Sequence, residues 1–171
     1  ERSRIEQIAE HVVTGNTAQM SDPAFMEELI AWMRFSEGEA TASRDGLFTR
    51  ASGAPTMPRW LARPLLRWVF TAESENKKYS THVRSSAGVA IFVSESNDQN
   101  HWFNVGRACQ RFALQTTALG MKCAFINQPV EVPALREQFT TYLGVQGRRP
   151  DLVMRFGYGP ELPKSLRRPV Q

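Results

Sequence analysis

Two stretches of this chain carry residue types whose spacing could do chemistry. Near the end, Lys164, Arg167 and Arg168 place three cations within five residues. Arginine grips phosphate through paired N–H donors, and several cations converging on one dianion form a phosphate clamp. The same residues also make an ordinary solvated basic tail. The second stretch is Ala124-Phe125-Ile126-Asn127, at the end of an apolar run that starts at Lys122. A strand end presents backbone N–H and C=O groups that could read the edge of a planar heterocycle, with Phe125 or Ile126 packed on the ring face. Its plain alternative is a buried strand followed by a turn at Gln128-Pro129.

Other candidates read as structure. Arg148-Arg149-Pro150 suits a surface turn leading into a strand. Trp32, Trp60, Trp68 and Trp102 could line a pocket, but all except Trp60 read as core. No residue stands out as a catalytic acid, base or nucleophile. His11, His82 and His101 lie far apart with no ligand pattern, and Cys109 and Cys123 show no zinc spacing, so no metal site is expected. The two cysteines read as reduced thiols in apolar surroundings, as in a cytoplasmic protein.

The elements that must position these residues follow from periodicity. Ile5, Ile8, Ala9, Val12 and Val13 recur at helical spacing, and Gly15-Asn16 reads as the helix end. Ser21-Asp22-Pro23 opens a second helix, carrying Leu29, Trp32 and Met33 to about Phe35. Residues 36–43 predict a short third helix. Residues 45–63, rich in Gly and Pro, read as a long ordered loop or lid, or as a plain connection. Residues 60–70 predict a short helix interrupted near Pro64, and 72–84 a polar surface helix. Gly88 to Val93 is a continuous apolar run of strand formers, read as a central strand. Asn97 or Asp98 caps the next helix, where Trp102, Val105, Cys109 and Phe112 share a face. It reads as the central core helix, ended at Gly120. Pro133 opens a further helix through Leu135, Phe139 and Leu143, ended by Gly144. Leu152 to Tyr158 is the last strand.

With 171 residues, 42% of them hydrophobic, the chain can bury one ordinary core, so residues 1–171 are expected to form a single domain. Charged residues at 22% argue against wholesale disorder. The net charge of +4 is scattered rather than striped, so nucleic acid is not expected as a partner. No apolar run approaches the roughly 18 residues of a membrane span, so no membrane partner is expected. No signal peptide is visible. The chain begins at Glu1 rather than Met, as a fragment would.

The order of elements from 101 onward resembles the C-terminal half of the FMN-dependent nitroreductase family. A long helix ends in Ala118-Leu119-Gly120, then come a short strand at 122–126, a helix, and a strand ending Gly157-Tyr158-Gly159. Arg167-Arg168-Pro169 follows. The resemblance covers about residues 79–171 and implies an α+β, nitroreductase-like three-layer domain, with an antiparallel-dominated sheet flanked by helices. It implies FMN as cofactor, its ring edge read by Ala124, Phe125, Ile126 and Asn127 and its phosphate held by Lys164, Arg167 and Arg168. Family members often carry an acidic residue and a glycine where this chain has Ile126-Asn127, a change that backbone contacts would survive. The implied activity is NAD(P)H-dependent reduction of a nitroaromatic, quinone or similar small aromatic acceptor. The alternative is a flavin-binding or storage protein with little turnover. The family's N-terminal flavin-gripping segment has no counterpart here. Arg2-Ser3-Arg4 looks superficially like it but runs straight into the Ile5 helix. The chain thus looks like the second half of a longer, fused-twin protein, expected to form a homodimer or to associate with a missing N-terminal half.

Overall fold

A computed structural model of the chain describes residues 2–169, apart from the side chains of Arg63, Arg67 and Val69. The elements in chain order are α1 (Arg2–Met20), α2 (Pro23–Trp32), β1 (Met33–Arg34), α3 (Glu37–Ser43), β2 (Leu47–Phe48), α4 (Arg59–Val69), α5 (Ala72–Ser85), β3 (Gly88–Ser94), α6 (Gln99–Ala118), β4 (Lys122–Phe125), α7 (Gln128–Glu131), α8 (Pro133–Leu143) and β5 (Arg149–Gly157). The fold is therefore mixed α+β. Tertiary contacts group it into two compact units, one of residues 1–19 and 75–159, the other of residues 20–74 and the tail from 160.

The first unit is built on an antiparallel three-stranded sheet in the order β3-β5-β4. Alternation along β5 sends Val153 to one face and Met154 and Phe156 to the other. On the Val153 face lies the core cluster of Ile8, Ala9 and Val12 from α1, Val83 from α5, Ile126, Val130 and Phe139. On the opposite face α6 packs on the strands, and Phe112 meets Phe92 and Phe156 edge to face, with ring centres 5.8 and 5.3 Å apart. Helices thus cover both faces of the sheet.

Several expectations are corrected here. The Gly88 to Val93 strand is real but lies at an edge; β5 is the central strand. A continuous apolar run marks burial on both faces and does not say which strand has two neighbours. α6 is one helix, capped by Asp98, whose side chain accepts from the His101 N–H. It packs on the sheet as expected through Val105, Cys109 and Phe112, but Trp102 of the expected inner face is exposed, as are Phe103 and Leu114. α1 does not stop at Gly15-Asn16 but runs to Met20. Gly15 is there because a Cβ would lie 2.7 Å from the Gln128 backbone, so only glycine admits α7 so close. Gln128-Pro129 opens that short helix rather than a simple turn. Gly120 and Gly144 do end their helices with positive φ.

The second unit holds a short parallel pair, Met33 with Leu47 and Arg34 with Phe48. α2 accordingly stops at Trp32, before the expected Phe35. α4 runs uninterrupted from Arg59 to Val69 with Pro64 inside it, where a break was expected. All four tryptophans are exposed, so the core reading of Trp32, Trp68 and Trp102 is also corrected.

One pH effect follows from the core. His11 packs against Phe139 and Tyr142, with ring centres 5.1 and 5.2 Å away, and burial pushes its pKa below 6.5. A histidine with a depressed folded pKa favours the folded state in its neutral form. That contribution is complete above the unfolded pKa and is lost as pH falls through the folded one. The urea midpoint is expected to drop as pH is lowered below 6.5, with a shallower drop in His11→Gln. Equal pH slopes in the two proteins would remove His11 from this account.

Candidate functional site

The end of β4 is shaped by its pairing with β5. Phe125 lies opposite Met154, and the Ile126 N–H donates to the Val153 carbonyl at 2.9 Å. Peptide groups alternate sides along an antiparallel strand, so Cys123 and Phe125 turn their N–H and C=O away from β5. Among the described residues no further strand pairs with that edge. Those donors and acceptors are therefore not used by the sheet, and Phe125 beside them is 54% exposed.

The four expected ring-edge residues divide accordingly. Ala124 is half-buried opposite Arg155. Ile126 is 1% exposed within the core cluster, so its side chain cannot also cover a ligand face. Phe125 is left to that role. The Asn127 side chain accepts from the Val153 N–H at 2.8 Å, which ties the turn after β4 to the central strand.

The expected phosphate residues lie in the tail, where 158–169 form no regular element. Lys164 and Arg167 are exposed, and among the described residues neither enters an ion pair. Arg168 does: its Nε donates to Asp45 Oδ2 at 3.1 Å, and its terminal nitrogen donates to the same oxygen. Arg34 holds the other carboxylate oxygen at 2.7 Å. Arg168 foremost, then Arg34, holds the Asp45 carboxyl down to about 2. With a depressed acid pKa, this contribution is present above the ordinary carboxylate range and lost only as pH falls through about 2. At neutral pH the tail is thus fastened to Asp45, and Arg168 already has a carboxylate partner. Of the three tail cations, Lys164 and Arg167 have no ion-pair partner among the described residues. The ring-edge residues belong to the first unit, and the basic residues to the second. The expected lid, 45–63, is in the second unit too and holds β2, a short 3-10 turn at Thr49–Ser52 and the start of α4.

Sequence reading missed two groups. Asp45 is one, because its partners are 11 and 123 residues away in the chain. Arg155 is the other. Strand alternation puts it on the Val153 face, a charged residue in a core-facing slot, and that signal was readable in the sequence. Burial lowers its pKa, and Tyr79 and His82 sit in its field. Burial likewise raises the Tyr79 hydroxyl.

Among the described residues no cluster of His, Cys, Asp or Glu is arranged to hold a metal ion, and no helix is long and apolar enough to cross a membrane. Cys109 and Cys123 are free thiols. No family model, curated protein or solved structure matches the chain.

Proposed function

We propose that this chain binds FMN and serves an NAD(P)H-dependent oxidoreductase acting on nitroaromatics, quinones or similar acceptors. The observation that carries this reading is the edge of β4 not used by the sheet, beside the exposed Phe125. A flavin's pyrimidine edge alternates donors and acceptors, as a strand edge does, and an aromatic side chain covers its ring face. The flavin supplies the hydride chemistry itself. The protein's part is to orient the ring through peptide groups at Cys123 and Phe125, while the nitroreductase resemblance assigns the phosphate to Lys164 and Arg167. No acid or base is required of the chain. Homodimerisation belongs to the same proposal, with the outward face of α6, where Phe103 and Leu114 are exposed, as its contact.

Titration of FMN and riboflavin, followed by flavin fluorescence, tests the reading. A charge-assisted phosphate contact is worth about 1.5–3 kcal/mol, so Arg167→Ala is expected to weaken FMN roughly ten- to a hundredfold. Riboflavin lacks the phosphate and should bind parent and variant alike. Phe125→Ala should weaken both ligands. Unchanged FMN affinity in Arg167→Ala would remove the phosphate role, and failure of the unmutated chain to bind either ligand would sink the proposal for this chain.

A further inference from the structure

α4 is the least explained element of the second unit. Its sequence is Arg59-Trp60-Leu61-Ala62-Arg63-Pro64-Leu65-Leu66-Arg67-Trp68-Val69, and among its described side chains Arg59 and Ala62 anchor it to the unit. Ala62 is 2% exposed. Arg59 reaches the carbonyls of Ile30 and Met33, both at 3.3 Å, lies over the Phe35 ring and pairs with Glu39 at 3.6 Å. The described side chains of the other side are exposed. Trp60 and Trp68 are 76% and 81% exposed, and Leu61 and Leu65 are 43% and 40% exposed. At about 100° per residue these four positions and Pro64 fall within an arc of roughly 140°. The two indoles stand eight residues apart along it, about 12 Å at 1.5 Å per residue.

Charge narrows what could cover this face. Residues 46–72 contain no Asp or Glu and four arginines, three of which recur every fourth residue along α4 itself. A second copy docking by the same face would bring arginine rows together with no carboxylate in the segment to meet them. An apolar face with an indole near each end, carried on an acid-free arginine helix, complements a surface that is both apolar and anionic. Tryptophan seats itself at the boundary between acyl chains and headgroups, and arginine pairs with lipid phosphate.

We propose that α4 is an interfacial helix that lays its Trp60–Trp68 face into the headgroup boundary of an anionic bilayer. It lies on the membrane without crossing it, so the span-length criterion that argued against a membrane partner does not detect it. The proposal does not depend on flavin binding.

Co-sedimentation of the intact chain with phosphatidylcholine vesicles, with and without phosphatidylglycerol, tests this. Binding is expected on the anionic vesicles, at least about tenfold weaker on the neutral ones, and weaker again on raising salt to about 0.5 M. Trp60→Ala with Trp68→Ala should lower partitioning by about a hundredfold. Arg63→Gln with Arg67→Gln should lower it roughly tenfold or more on anionic vesicles alone. The lipid and salt comparisons use the unmutated chain and stand even if a variant misfolds. No sedimentation with anionic vesicles, equal binding to both compositions, or a tryptophan variant that binds as the parent does would each overturn the proposal. So would salt-sensitive capture of an acidic soluble protein through Trp60 and Trp68 in the absence of vesicle binding.

Discussion

Phe139→Ala is expected to lower the unfolding free energy by about 3–5 kcal/mol. Phe139 is 0% exposed and sits in the cluster that joins α1, α5, α7, α8 and β5. Its ring meets His11 edge-on at 5.1 Å and Tyr142 at 6.1 Å. Truncation loses the transfer free energy of the ring and leaves a cavity, and the surrounding helices are held by the sheet and cannot all close on it. Domains of this size are commonly stable by only about 5–15 kcal/mol, so the loss is a large share of the total. Tyr158→Ala is the matched control. That residue follows β5, 78% exposed, and its truncation should stay within about 0.5 kcal/mol. Urea denaturation of both variants measures the difference. A cost below about 1 kcal/mol for Phe139→Ala would mean that the core is elsewhere.

The second large effect is expected at Gly46. Its φ is +75°, and a Cβ there would lie 2.4 Å from the Trp32 carbonyl oxygen and 2.9 Å from Arg34 Cζ. Two penalties add. A side chain in the left-handed region costs roughly 1–2 kcal/mol, and the overlap with a backbone oxygen forces a shift of about 1–3 kcal/mol. Gly46→Ala should therefore cost about 2–5 kcal/mol in the unit that carries β1, β2 and Asp45. Gly53 separates the two penalties, since its φ is +81° but nothing lies within 4 Å of a Cβ. Gly53→Ala should show the conformational cost alone. Hydrogen exchange of amides in residues 33–48 would report the difference, and equal effects at the two glycines would rule out the close approach at Trp32.

Much of the secondary structure was legible because its signals are local. The caps at Asp22 and Asp98 accept from backbone N–H groups two and three residues on, and a side chain need reach no further. Gly120 and Gly144 end helices because positive φ is a property of one residue and its neighbours. α8 with its buried Leu135 and Phe139, and β5 with its apolar run, were readable for the same reason. The ring-edge stretch was legible as far as its backbone, since a strand end after a glycine turn is also a local pattern.

Other features were decided only by the tertiary structure. Gly15 looked like a helix stop because glycine costs a helix entropy, and only the 2.7 Å approach of the Gln128 backbone shows why it sits inside α1. Apolarity placed Trp68 and Trp102 in a core, yet burial depends on whether another element covers that side, which periodicity cannot say. Ile126 and Phe125 are neighbours of like hydrophobicity, but strand alternation sends one into the cluster and leaves the other exposed. Arg168 and Asp45, 123 residues apart, meet only once the chain has folded. By itself the sequence determined where the chain turns and which faces are apolar, because propensity and periodicity act over a few residues. Which of those faces are covered, and which charges are already paired, was decided by the packing of elements far apart in the chain.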